Sequence, residues 1–170
     1  MVTDDFNRTL DNWIQELERY DFIQLCAKAS PSSWSLGQVF MHLIENTHYY
    51  IEQIRICLSS DEHENEEASP DGKKMFFNNE FPDEAIEGPV ENSRTPQPVN
   101  KEELMYSFLK LKVEMKAIEG LVSQSTRRGK TKHPGLNYFN AKEWLRFADM
   151  HFRHHLRQKK RIDAFLKLHS

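Results

Sequence analysis

The sequence predicts an all-α protein: a four-helix bundle in up-down-down-up order, with a long crossover between its second and third helices. Three observations predict it. Apolar residues recur at three- and four-residue spacing in four separate segments. Three of those segments open on a polar capping residue followed three positions later by Gln or Glu. Between the second and third lies a polar, proline-interrupted stretch of roughly 40 residues, long enough for two helices to run parallel. Short links elsewhere make helices one and two, and three and four, antiparallel neighbours. At 170 residues the chain reads as a single domain, 1–170, with room for a substantial core.

Helix one spans about Thr3–Arg19, with Phe6, Leu10, Trp13, Leu17 and Tyr20 on one face and Thr3 or Asp4 available as a cap. Asp21–Ser33 could extend that helix or turn into an apolar connector, and Pro31 ends it in either case. Helix two opens at the Ser35/Gln38 capping box and carries Leu36, Val39, Phe40, Leu43, Tyr50, Ile51, Ile54 and Leu58. His42 and His48 lie on its opposite flanks, and periodicity does not choose between them.

The crossover divides in two. Ser60–Lys73 is polar and acidic and reads as mobile, with a turn over Pro70–Lys74 and a solvated His63; Pro82, Pro89, Pro96 and Pro98 forbid long regular structure. Met75, Phe76, Phe77 and Phe81 are too apolar for water and are expected to anchor the remainder. Helix three starts at Asn100, with Glu103 at the capping-box position, and runs through Leu104, Phe108, Leu111, Met115, Ile118 and Val122; Gly120 should weaken its last turn. A basic loop, Arg127–Lys132, and a second loop, His133–Leu136, lead to the Asn140/Glu143 box that opens helix four.

Helix four holds the residues of most interest. Trp144, Ala148, Ile162 and Phe165 define its inward stripe, and the positions that continue the stripe are His151, His155 and Gln158. Both histidines fall within about 20° of Trp144 on a 100° wheel, whereas Arg146, Arg153, Arg157 and Lys160 fall on the far side as a solvated face. Two imidazoles one turn apart can share a metal ion. A single buried histidine is usually a satisfied core residue, but two on one stripe must both find partners. His154 lies at the stripe's edge, as a flanking or supporting residue.

Bulk properties narrow the function. A net charge of −3 gives no electrostatic case for nucleic acid, and the basic cluster Arg157, Lys159, Lys160, Arg161 and Lys167 reads as charge favouring the helix C-terminus. No apolar run spans a membrane and Met1–Asp5 has no secretory character, so a cytoplasmic protein is expected. Cys26 and Cys57 read as buried thiols. A ferritin-like two-metal site would need two Glu-x-x-His motifs, and only Glu45-Asn46-Thr47-His48 is present. The His-Glu-x-x-His motif is absent.

Trp34-Ser35-Leu36-Gly37-Gln38-Val39-Phe40-Met41-His42-Leu43 resembles the tryptophan–serine, histidine–leucine signature of the DinB-like four-helix bundle superfamily. His133-Pro134-Gly135-Leu136, Glu143-Trp144 and His151-Phe152-Arg153-His154-His155-Leu156-Arg157-Gln158 are similar to that family's last helix and its approach, and the likeness spans the chain, including the crossover from Phe81-Pro82 to Pro98. The resemblance implies one divalent metal ion, nickel or zinc, on His42, His151 and His155, and so selects His42 over His48. It also implies thiol-dependent transferase or related chemistry on a small molecule, a low-molecular-weight thiol as partner, and pairing into a homodimer. Three neutral imidazoles leave an ion its +2 charge and an open position, at which a water or thiol becomes a stronger nucleophile for hydrolysis or group transfer. Gln158 could orient a ligand or meet substrate, and Asn46 and Tyr49, one and two turns from His42, are further supporting candidates. The alternative is a non-catalytic, metal-containing module that binds small molecules in a stress response. Structural zinc sites are normally closed by four ligands, and three are expected here.

Overall fold

The structure, a computed structural model, describes residues 2–83 and 94–168, and its secondary structure is mostly helical. Four long helices, α1 (Val2–Glu18), α3 (Leu36–Ser59), α5 (Lys101–Gln124) and α6 (Ala141–Leu168), are joined by two short ones, α2 (Phe22–Cys26) and α4 (Pro70–Asn78). A hairpin of β1 (Lys130–His133) and β2 (Asn137–Asn140) precedes α6. The expected starts hold where capping chemistry was legible. Ser35 and Gln38 exchange side-chain-to-backbone bonds at α3, and Asn140 and Glu143 do the same at α6. At α5 the Asn100 side chain accepts from Glu103 N. The ambiguous connector resolves into α2, opened by an Asp21/Gln24 capping box. The Thr3 and Asp4 side chains, as well as Pro89, lie outside the described residues.

Contacts fix how neighbouring helices run. Between α3 and α6 they pair in opposite order: His42 with His151, Tyr50 stacked on Trp144, Cys57 Sγ facing the Phe139 carbonyl just before α6. Between α1 and α6 they pair in the same order, Thr9 with Asp149, Glu16 with Lys159, Tyr20 with Asp163. Asn7–Glu119 and Glu18–Lys101 set α1 against α5 in opposite order. Phe40–Phe108 and Arg55–Glu114 set α3 and α5 in the same order. At the centre, each long helix contributes a fully buried ring, and Trp13, Phe40, Phe108 and Phe152 meet edge to face, with centroids 5.1–6.2 Å apart. Such contacts add about 0.5–1.5 kcal/mol per pair beyond burial.

Several expectations are corrected. The polar segment Ser60–Lys73 is ordered against the hairpin. Ala68 bridges to Asn137, Lys130 N donates to Glu62 O, Ser69 N donates to Leu136 O, and Arg127 and Arg128 pair with Asp61 and Glu64. Its acidic residues meet the basic loop, which composition read one segment at a time could not reveal. Pro70–Lys74 is no turn: Ser69 caps α4 by accepting from Gly72 N, and Pro70 sits where a helix tolerates it. The stretch expected as the loops Arg127–Lys132 and His133–Leu136 instead contains β1 and the turn to β2, which passes through Gly135 at φ +104°. Phe77 is 91% exposed, whereas Met75, Phe76 and Phe81 are buried as expected.

The far face of α6 is not bare either. Arg146 donates to Phe76 O and lies over the Phe76 ring, Arg153 reaches Asn79, and Arg157 pairs with Asp83, so the α4 segment straps this face. Lys159 is buried instead of serving the helix C-terminus: its ammonium meets Glu16 at 2.6 Å, Asp163 at 2.7 Å and the Tyr20 hydroxyl at 2.8 Å. Two carboxylates and a phenol offset the cost of desolvating one charge. Helix α5 passes through Gly120, near its last turn, and runs on to Gln124. Cys57 is buried and Cys26 half-buried, both free.

Candidate metal centre

The α3–α6 contact brings together the three histidines expected to act in concert. His42 Nε2 and His155 Nε2 each lie 3.1 Å from His151 Nε2, and one ligating nitrogen from each ring falls within 4.8 Å of the other two. These nitrogens are buried. His42 and His151 are buried as whole residues, 4% and 6% exposed, while His155 is more open. Among the described residues no other cluster of three such ligands forms. His48 stands half exposed, 3.7 Å from Glu114, which removes both it and the Glu45–His48 motif from the interior. His63 is exposed, as expected, with its ring 5.0 Å from Tyr138.

Spacing and protonation both fit a cation. Nitrogens about 2.0–2.1 Å from one ion lie roughly 2.9 Å apart at right angles and about 3.3 Å apart in a tetrahedron. The observed 3.1 Å falls between these. His155 Nδ1 lies 2.8 Å from Gln158 Oε1, a carbonyl that only accepts, so the proton sits on Nδ1 and Nε2 presents its lone pair. A proton on His151 Nε2 could point at only one of its two neighbours, whereas a cation at the convergence point meets all three lone pairs. Burial drives the rings neutral. It pushes His42 down to about 3, helped by His155 and His154. His155 falls to about 4 through burial, opposed by the Gln158 hydrogen bond. His151 lies well below the ordinary value through burial and the neighbouring imidazoles. Neutral rings are what a metal requires of histidine.

The supporting candidates divide. Gln158 meets His155 as expected of an orienting group. Asn46 donates to the His42 carbonyl at 3.0 Å, and its amide nitrogen lies 2.9 Å from His42 Nδ1. Loading Nε2 puts the proton on Nδ1, and a half-turn of the amide then offers Oδ1 as acceptor. Tyr49 is corrected: it packs on Tyr50 and Trp144, 39% exposed, and no contact joins it to the three rings. His154 flanks the cluster, its ring 5.2 Å from Phe81 and 5.3 Å from His155. His151 Nδ1 is buried, and among the described residues no hydrogen-bond partner meets it. Three wall residues were given no specific role from spacing: Trp34 at 5.0 Å from the His42 ring, Tyr50 at 5.8 Å and Phe81 at 5.9 Å from the His151 ring. Phe81 comes from the crossover stretch expected to anchor along the bundle, and it packs beside His151. Tyr50 was visible as a stripe residue two turns from His42, but nothing in the spacing marks Trp34.

Fold and site together define a mostly helical protein with a buried three-histidine cluster able to hold a metal ion. No protein-family model matches the chain, and no curated protein matches it. Among the described residues no helix is long and apolar enough to cross a membrane.

Proposed function

We propose that the chain is a cytoplasmic metal-dependent enzyme of the DinB-like kind. It is an up-down-down-up four-helix bundle holding one divalent ion on His42, His151 and His155, and it acts as a thiol-dependent transferase or hydrolase on a small molecule. The observation that carries this reading is the convergence of three imidazole nitrogens, 3.1 Å apart along two edges, at one buried point. The helix contacts support the bundle order, because α1 and α6 pair in the same direction and α3 and α5 in the other.

A divalent ion bound there supplies a +2 charge that lowers the pKa of a water or thiol at an open position. The chain's own groups do the rest. Gln158 holds His155 in the ligating tautomer, and Trp34, Tyr50 and Phe81 exclude water, which strengthens every charge interaction inside. His155, the most open of the three, marks the side that a small molecule reaches.

Cobalt substitution tests the reading against a closed structural site. Adding a low-molecular-weight thiol should shift the visible spectrum of the cobalt-loaded protein, and removing the metal should abolish any thiol-dependent turnover of an electrophile. An unmoved spectrum together with a fourth protein ligand would assign the metal a structural role.

A further inference from the structure

The inward stripe of α6 does not stop at the histidines. His151, His155, Gln158, Ile162 and Phe165 follow one another at four, three, four and three residues, so they share a single face. Past Gln158 the connector after α2 faces this stripe and leaves a groove of about 180 Å³. Ala29 and Trp34 form one side, and Gln158, Arg161, Ile162 and Phe165 the other. Two of these residues are also the outer supports of the histidine cluster. Gln158 bonds His155 at 2.8 Å, and the Trp34 ring lies 5.0 Å from that of His42. The groove therefore adjoins the histidine cluster through Gln158 and Trp34, and none of the three histidines lines it.

Its chemistry is one-sided. Ile162, Phe165, Trp34 and the alanines give apolar walls, and among the described residues no carboxylate lines them. Among those residues Arg161 is the single charged group in the lining, and no ion-pair or hydrogen-bond partner occupies its guanidinium. Arg157, one turn earlier, is taken by Asp83. A guanidinium beside apolar surface is suited to bidentate binding of a carboxylate, and Arg161 is exposed and so open to one. The volume is below the roughly 300–1,000 Å³ typical of sites for drug-sized ligands, so the occupant is small.

We infer that this groove is the substrate-binding arm of the metal centre, and that it takes a small monocarboxylate with an apolar body. Arg161 holds the carboxylate, and Trp34, Ile162 and Phe165 hold the body. The inference rests on the metal reading for its catalytic meaning, but the binding itself can be measured apart from it.

The probe is 3-phenylpropanoate, compared with its neutral amide, on the full chain in metal-free and cobalt-loaded forms. Calorimetry should show the acid binding at least tenfold tighter than the amide. Arg161→Gln, and Ala29→Trp at an exposed position that fills the groove, should each weaken the acid at least tenfold with cobalt stoichiometry unchanged. The acid should also perturb the cobalt spectrum. Equal affinity for acid and amide, or unchanged affinity in Arg161→Gln, overturns the inference. So does Arg161-dependent binding that leaves the cobalt spectrum untouched, because the groove would then be separate from the centre. If the chain takes up no cobalt, the metal reading fails, while Arg161-dependent acid binding by calorimetry would still support the groove's chemistry.

Discussion

His151 and His154 are three residues apart on one helix, yet only His151 turns its Nε2 toward the convergence point. Their substitutions should separate accordingly. His151→Ala should reduce bound metal by an order of magnitude or more, measured by elemental analysis after dialysis, and His154→Ala should leave it nearly intact. Equal losses would place the site on another face of α6. Gln158→Leu removes an orienting acceptor and should weaken metal binding about 10–100-fold, the usual cost of losing such a partner. The buried imidazoles also set an acid limit on the metal-free fold. His42, His133 and His155 titrate at about 3, 4 and 4 when folded, chiefly because burial disfavours the charged ring, against 6.5 when free. Between those values the unfolded chain binds more protons than the folded one, so stability falls as pH drops from 6.5 toward 4. The slope is about 1.4 kcal/mol per pH unit for each such histidine. Glu16, held below its usual 4.5 chiefly by its hydrogen bond to Lys159, contributes its loss only below that pH. Urea melts at pH 7 and 5 check this, and equal midpoints would show that these rings are not desolvated.

Elements with local signals were legible, and those built from distant partners were not. The long helices announce themselves because caps and apolar spacing are local: Ser35/Gln38 and Asn140/Glu143 form the boxes their residue types allow. The β1–β2 hairpin was passed over because its four-residue strands are mostly polar and only Phe139 and Thr131 are buried. Its Pro134-Gly135 turn was the available signal. The order of segment 60–73 depends on β1 and β2 and on charges more than 60 residues away. Removing 60–73 should therefore lower the melting temperature by several degrees, because it strips the hairpin of its backbone partners at Glu62, Glu67 and Ser69 and takes away the cap and first turn of α4; an unchanged melt would mean that the segment carries no structure. Two glycines give a sharper contrast. A Cβ at Gly129 would lie 2.4 Å from Ser60 O and 2.7 Å from Cys57 O, so Gly129→Ala must displace backbone and should destabilise. At Gly120 a Cβ meets nothing within 4 Å, so Gly120→Ala should stabilise α5 by about 0.5–1 kcal/mol. Thermal denaturation of the two variants should move in opposite directions.

At the scale of the whole molecule, two of the three histidines could be read from one helix and the third could not. Periodicity alone put His151 and His155 inward, because both positions lie on α6. It could not choose between His42 and His48, which flank the α3 stripe on either side; the choice depends on which flank meets α6, a tertiary fact. The structure turns His42 to α6 and His48 toward Glu114. The groove beyond Gln158 was equally illegible, since it exists only where the connector after α2 faces α6. The proposed function depends on one cation shared by two helices that meet in antiparallel order. Anomalous diffraction at the zinc edge, from crystals of the full chain grown with zinc, tests that directly. The account predicts a single internal peak about 2.0–2.1 Å from the Nε2 atoms of His42, His151 and His155. A zinc-saturated crystal with no peak there, or with the ion held by other residues, would contradict it.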